Sequence, residues 1–479
     1  MARRLLFDIS TSMRWFGPPV GIVRVERELA KWASKNDPNC RFVFFDPDLQ
    51  MYREVRRNRL RDLLEGAATV DTTGMREASR SRRRRTDRVP RVLLAPFLWL
   101  TQFRRMALRT LGGFLLNSAS SRTRALIHLI QPVIAGKKYR DILIRPDGSQ
   151  RALASVHVLA GAPLPFKPGD RVLLAGANWA HTNMAMIGEQ KKQFAIELVS
   201  LCHDVIPLLF PMFFKPHDVA MLQRHFDQVF ALASLNLVCS KVTGHDVQQY
   251  CTDHDIAVGS VRQVPLGFDL PDGDNGHARS APPAPCSQYI MLVSTIEPRK
   301  GHRLVQAVWS RLLEEGIPQR LDVNLVLVGR PGWMVDDLMT TLRASDRILI
   351  MDNVDDRALA ALYDRADFCI YPSEYEGYGL PVVEALARGK AVLASNVGVV
   401  PELQAGLLKR LPPHDDQAWH AAIKEWLVSP EVRPARDADG STGFRHPTWA
   451  ESAAAIFAAV YGGHRPRSAD QASDNPRGG

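Results

Sequence analysis

The stretch that most constrains the fold is Tyr371-Pro-Ser-Glu-Tyr-Glu-Gly-Tyr-Gly-Leu-Pro-Val-Val-Glu-Ala-Leu-Ala-Arg-Gly389. The apolar run Ala366-Asp-Phe-Cys-Ile-Tyr371 leads into it and predicts a short buried strand. Gly377 and Gly379 then let the backbone approach another molecule closely. Pro381 stands where a helix can begin without losing a needed N–H, and Gly389 supplies the stop. Strand, glycine loop and helix N-terminus in that order make an anion site, because unpaired amides and the positive end of the helix dipole converge there. A phosphate is the natural guest, and the carboxylates Glu376 and Glu384 suit hydroxyl groups. The combination points to a sugar phosphate or a nucleotide sugar.

Such a stretch needs a parallel sheet around it, and the chain supplies the alternation of strands and helices that builds one. In the first half, strands are predicted over 5–9, 41–45, 171–175, 194–202, 235–239 and 261–267, with an amphipathic helix over 20–33 that opens near Gly21. Polar groups follow several of these strand ends, including Gly176-Ala-Asn-Trp179 and His203-Asp204, where ligands bind in open parallel sheets. The second half repeats the pattern, with strands over 288–293, 321–328, 347–351, 366–371 and 391–394 and helices over 357–365 and 449–461. At 479 residues two domains are the expectation. They are placed at 1–270 and 288–461, joined by a Pro, Gly, Asp and Ala-rich linker at 271–287 and followed by a polar tail at 462–479, predicted disordered.

The pattern breaks over about 53–140. The net charge of +10 is uneven, and Arg80-Ser-Arg-Arg-Arg-Arg-Thr-Asp-Arg88 concentrates it. Large apolar residues interleaved with arginine follow over 92–116, Trp99 and Phe103 among them. A helix lying in a membrane interface fits this composition, and so does a solvated insertion whose helix packs on the core. Nucleic acid is disfavoured, since no reader motif accompanies the charge.

The six cysteines show no CxxC spacing, and several sit in apolar strand-like runs, so reduced buried thiols are expected rather than disulfides or zinc ligands. There is no long apolar leader at the N-terminus and no uncharged run of transmembrane length. The expected location is cytoplasmic, with the inner face of the cell membrane as a candidate surface through 80–116.

Chemistry-bearing groups gather at strand ends. Arg299 and Lys300 in Ser294-Thr-Ile-Glu-Pro-Arg-Lys-Gly301 follow a strand and put two cations over the same sheet edge as the Gly377–Gly379 loop, where they can hold a diphosphate. His203, after a strand of the first half, is placed to donate to a sugar hydroxyl or to developing charge.

These motifs resemble the family-4 retaining glycosyltransferases, in particular the bacterial mannosyl- and rhamnosyl-transferase-like branch. The likeness rests on Glu297-Pro-Arg-Lys-Gly301, on the 371–389 stretch and on Ser395-Asn-Val-Gly-Val-Val-Pro-Glu402. Val20-Gly-Ile-Val-Arg-Val25, Cys202-His-Asp-Val-Ile-Pro207 and Val264-Pro-Leu-Gly-Phe-Asp269 add looser likeness in the first half. The resemblance implies an α/β chain of the GT-B fold, two Rossmann-like domains facing across a cleft, here with a basic, apolar helical insertion in the N-terminal one.

The resemblance further implies that Glu376 meets the donor sugar's hydroxyls beside the reacting carbon and that His203 touches the sugar near its anomeric centre. Glu384 would bind the ribose, the amides of Gly377, Tyr378, Gly379 and Leu380 the sugar or distal phosphate, and Arg299 and Lys300 the diphosphate. Gly21 would let a helix N-terminus approach that diphosphate, and the backbone at Asn353 and Val354 would form the base pocket. Many members carry Gly-Arg where this chain has Ser294-Thr295, so Arg299 takes the arginine's part.

The implied activity is transfer of a hexose, mannose or rhamnose favoured, from a nucleoside-diphosphate sugar to a saccharide or lipid-linked acceptor in bacterial surface polysaccharide synthesis. Retention, no metal and no cofactor beyond the donor substrate complete the expectation. A non-catalytic nucleotide-sugar-binding or membrane-surface scaffold of the same fold is the alternative.

Overall fold

The computed structural model describes residues 4–15, 21–47, 49–65, 68–71, 152–155, 159–269, 286–352, 354–434 and 444–462. The basic stretch 80–116, the proposed linker apart from its last two residues, and the tail beyond 462 lie outside them. The chain divides into two compact units. One is drawn from Met1–Leu201, Gln228–Leu235 and Ala458–Gly479, the other from Cys202–Asp227 and Asn236–Phe457.

The first unit is built on strands β1 (Leu5–Asp8), β2 (Cys40–Asp46), β3 (Met51–Val55), β6 (Ala160–Pro163), β7 (Arg171–Leu174) and β8 (Glu197–Cys202), adjacent in the order β8-β7-β1-β2-β3-β6. Every residue of β1 is buried, the mark of a central strand covered on both faces. It pairs in parallel with β2 and β7, whereas β3 runs antiparallel to β2 and β6. The helices α1 (Ile22–Asn36), α2 (Arg57–Leu64) and α3 (Met184–Phe194) join these strands. A separate parallel pair is formed by β4 (Ala68–Asp71) and β5 (Ala152–Ser155).

The strand pattern therefore does not stop at Arg53. Met51–Val55 is a strand whose charges are matched locally, Arg53 to Asp46 at 3.2 Å and Arg41 to Glu54 at 3.5 Å. Those charges hide its alternation in the sequence. The remainder of the predicted insertion is described only through α2 and β4.

The second unit holds β9 (Leu235–Val238), α4 (Lys241–Asp253) and β10 (Ser260–Gln263), then a six-stranded sheet. That sheet comprises β11 (Gln288–Val293), β12 (Val323–Val328), β13 (Ile348–Met351), β14 (Cys369–Tyr371), β15 (Val392–Ser395) and β16 (Leu408–Leu411). It is parallel throughout, in the order β13-β12-β11-β14-β15-β16. This is the doubly wound order, and it reverses between β11 and β14, where ligands bind in open α/β sheets.

Alternate residues of its strands feed two cores. Ile290, Leu292, Leu325 and Leu327 face one with Trp309, Trp419 and Trp426, while Tyr289, Met291, Val326 and Val328 face the other with Tyr363 and Val383. The helices α5 (His302–Glu314), α6 (Asp356–Arg365), α7 (Leu380–Ala387) and α8 (Asp416–Val428) cover the two faces. Two α/β units, one on a wholly parallel sheet and one on a sheet whose central strands are parallel, fit the GT-B fold expected from the sequence.

Residues 202–227 and 236–269, which precede the predicted linker, also bond elements of the second half. Trp333 donates its indole N–H to the Phe213 carbonyl at 2.7 Å, and Lys241 N donates to Glu402 Oε1 at 2.8 Å. All six cysteines are free thiols, five of them buried. Among the described residues no helix is long and apolar enough to cross a membrane.

Candidate active site

The reversal of strand order decides which loops meet. β11 ends in Val293 and runs on to the single turn Pro298–Lys300, and β14 ends in Tyr371 and runs on to the glycine loop and α7. Adjacent parallel strands project both loops from the same sheet edge, so Arg299, Lys300 and Glu376 converge.

Glu376 is buried, 5% exposed, and each of its carboxylate oxygens faces a cation. Arg299 Nη1 lies 2.8 Å from Oε2 and Lys300 Nζ 2.5 Å from Oε1. Arg299 Nη2 also reaches Glu297 Oε1 at 3.0 Å, and Nη1 donates to the Tyr375 carbonyl at 3.0 Å. Lys300 Nζ stands 3.4 Å from the Tyr371 hydroxyl and over that ring. Two cations and two carboxylates thus form one buried, neutral quartet. Arg299 Nε is buried without a protein partner, which leaves a donor available to a bound anion.

The protonation states follow from this packing. Burial alone would raise Glu376, but Arg299 and then Lys300 outweigh it and hold the carboxyl at about 2. Burial pushes Glu297 up, with Arg299 and Lys300 opposing. Burial and the neighbouring Arg299 push Lys300 below its ordinary value, against the pull of Glu376. With both carboxylate oxygens in contact with cations, the ionised pair is the state the geometry favours. Glu376 is therefore an acceptor and an anion at neutral pH, not a proton donor.

The loop itself depends on its glycines. Gly379 adopts φ 102°, a conformation that side chains avoid, and immediately precedes α7. Pro381 is the second residue of that helix and Gly389 follows its C-terminal cap, with Gly389 N donating to Leu386 O at 2.8 Å. Leu380 is the first helical residue. At Gly377 a β-carbon would stand 2.7 Å from Asp204 Cβ and would strike the His203 carbonyl oxygen. The structure thereby brings half-buried His203 beside the loop through its backbone, and the same carbonyl accepts from Cys239 Sγ at 3.1 Å. Tyr378 bonds His446 Nε2 through its hydroxyl at 2.7 Å, and its carbonyl accepts from Val399 N at 2.9 Å.

Glu384 lies buried on α7 and accepts from the Tyr363 hydroxyl at 3.0 Å. Val354 packs half-buried against the core on the β14 side, whereas Asn353 falls outside the described residues. Gly21 belongs to the first unit, where it caps α1 at φ 49°, and no atom of the described residues lies within 4 Å of where a β-carbon would stand.

Sequence reasoning passed over Tyr375, Glu297, Ser240 and Thr243. Glu297 closes the charge quartet, and its spacing two residues before Arg299 was the available signal. The others act across more than a hundred positions of chain, and only the N-cap character of Ser240 before a helix was visible. Among the described residues no group of three or more His, Cys, Asp or Glu could hold a metal ion.

Residues 279–439 match the family of glycosyl transferases group 1. The serotype-specific mannosyltransferase WbdA of Escherichia coli is 29% identical over 301 residues, 56% of this chain and 34% of that protein. The O-antigen chain mannosyltransferase B of Escherichia coli is 35% identical over 167 residues, 34% of this chain and 42% of that protein. A solved alpha,alpha-trehalose 6-phosphate synthase from Burkholderia multivorans is similar at a TM-score of 0.45 and 14% identity, covering 62% of this chain and 72% of that one. The chain spans less than half the length of either mannosyltransferase. The charge quartet, the glycine loop and α7 all fall inside the segment, residues 279–439, that matches the glycosyl transferases group 1 family.

Proposed function

We propose that the protein is a retaining glycosyltransferase that moves a hexose, mannose or rhamnose, from a nucleoside-diphosphate sugar to a saccharide or lipid-linked acceptor in surface polysaccharide synthesis. The observation that carries this reading is the placement of Arg299, Lys300 and an ionised Glu376 at the seam between β11 and β14, within the group 1 segment. The two mannosyltransferase relatives support the choice of sugar.

In the proposed reaction the acceptor oxygen bonds to the anomeric carbon as the bond from that carbon to the diphosphate oxygen breaks. The acceptor's proton passes to the departing phosphate oxygen. The barrier lies in the leaving group's charge and in an oxocarbenium-like carbon. Arg299, Lys300 and the N-terminus of α7 address the first and ionised Glu376 the second. Because Glu376 is engaged by two cations, it suits electrostatic support of the sugar better than nucleophilic attack, and this favours attack from the front face, assisted by the leaving phosphate. Glu384 would hold the ribose. No metal or cofactor is assigned a role.

The test is a screen of GDP-, UDP- and dTDP-hexoses by thermal shift, followed by a transfer assay with the donor that stabilises the protein, since binding to the native state must raise its melting temperature. Glu376→Ala should abolish transfer from that donor. Wild-type turnover by the variant sinks the assignment.

A further inference from the structure

The N-cap Ser240 and two residues of α4, Thr243 and Asp246, stand three positions apart and grip the two residues that flank Glu376. Ser240 Oγ donates to the Gly377 carbonyl at 2.6 Å and accepts from Thr243 N at 3.1 Å, so one side chain caps its own helix and fixes the loop. Thr243 Oγ1 lies 3.2 Å from the same carbonyl and 3.4 Å from that of His203. The Tyr375 hydroxyl meets Asp246 Oδ1 and Oδ2, each at 2.9 Å. Ser240 and Thr243 are fully buried. Burial pushes the Cys239 thiol up to about 12, so it remains a donor, to the His203 carbonyl at 3.1 Å and to that of Gly377 at 3.8 Å.

The same helix is held in its turn. Lys241 N and the Gln263 amide bond the two oxygens of Glu402, at 2.8 and 2.9 Å. Glu402 lies in the turn that follows β15, so α4 and β10 are each tied once to that turn. Buried hydroxyls this short and this well paired specify one arrangement of the backbone they hold.

We infer that Ser240, Thr243 and Asp246 are positioning residues that hold Glu376 in register from both sides. They do so through the Gly377 carbonyl and the Tyr375 hydroxyl, and they touch neither donor nor acceptor themselves. The inference rests on the glycosyltransferase reading for its kinetic consequence only; the grip on the loop stands apart from it. A carboxylate that must face a developing charge loses rate steeply when its backbone drifts, about 100-fold for a displacement near 1 Å.

The experiment compares full-length Ser240→Ala/Thr243→Val with wild type and with Thr243→Ser. Valine keeps the shape of threonine without its hydroxyl. The expected result is a kcat lower by roughly 10- to 100-fold with a donor KM changed by less than about threefold, and near-complete recovery in Thr243→Ser. A purely structural role would lower the melting temperature without this split. Hydrogen–deuterium exchange of the peptide spanning 372–380 supplies a second readout, expected to quicken by about tenfold in the double variant while β12 stays unchanged. Wild-type kcat together with wild-type exchange overturns the inference. If Glu376→Gln proves fully active, the catalytic reading fails, and the exchange measurement still decides whether α4 holds the loop. Should the double variant not fold, Thr243→Val and Asp246→Asn singly carry the same comparison.

Discussion

Arg299 bridges two carboxylates, with Nη1 2.8 Å from Glu376 and Nη2 3.0 Å from Glu297, so one planar guanidinium sets the spacing of both acids. Arg299→Met would leave two buried carboxylates with Lys300 alone, and breaking a buried pair costs about 3–5 kcal/mol. The melting temperature should fall accordingly. Arg299→Lys keeps the charge but not the fork and should recover only part of the loss. An unchanged melting temperature in Arg299→Met would show that the quartet does not stabilise the fold.

A second prediction concerns pH and lies in the first unit. Glu26 on α1 is wholly buried and accepts from Ser12 N at 2.6 Å, and burial, with Asp8 nearby, raises its carboxyl to about 7. In the unfolded chain it titrates at 4.5. Between those values only the unfolded state has released its proton, so stability falls as pH rises from about 4.5 through 7. At 1.36 kcal/mol per pH unit the loss amounts to about 3 kcal/mol. Glu26→Gln should flatten this slope. Melting curves of both proteins at pH 5 and pH 8 measure it, and parallel slopes would refute it.

Gly377→Ala tests the closeness of the glycine loop to His203. The added methyl must displace either the His203 carbonyl or Asp204, at a cost of about 1–3 kcal/mol. Because Gly377 itself adjoins Glu376, turnover should drop further than stability alone accounts for. Chemical denaturation and a transfer assay on one preparation separate the two effects.

Tyr363→Phe removes the hydroxyl that Glu384 accepts at 3.0 Å while preserving the buried ring. If Glu384 binds the ribose, its freed oxygen should reorient and the affinity for a nucleoside diphosphate should change by about three- to tenfold, the worth of one hydrogen bond. The affinity for the 2′-deoxy analogue should change less. Calorimetric titration of the two ligands makes the comparison, and equal changes would argue against the ribose role.

The parts of the fold that were legible are those where apolar runs are unbroken. β11 matches its predicted bounds because both of its faces are buried and its residues need no polar alternation. The predicted strand from 194 begins too early, since Phe194 ends α3 and Ala195 takes a left-handed φ of 49°, a break no apolar pattern reveals. β16, Leu-Lys-Arg-Leu, was missed because an edge strand carries exposed charge and loses the apolar signal. At the site, Glu376, Arg299 and Lys300 could be named from the sequence, but not their mutual pairing. Strand order alone brings β11 beside β14, and nothing in either segment announces its neighbour. The hold of α4 on Tyr375 and Gly377 was invisible for the same reason.

The neutral quartet bears on how such a site would let go of its product. A pocket of bare cations draws anions from a distance and grips the diphosphate it has just released. Here the counter-ion is built in, since both cations rest on Glu376; in the proposed cycle Glu376 would yield them to an arriving diphosphate and take them back as it leaves. In the proposed cycle the carboxylate serves the sugar in the forward step and evicts the nucleotide afterwards, so turnover and product release share one side chain.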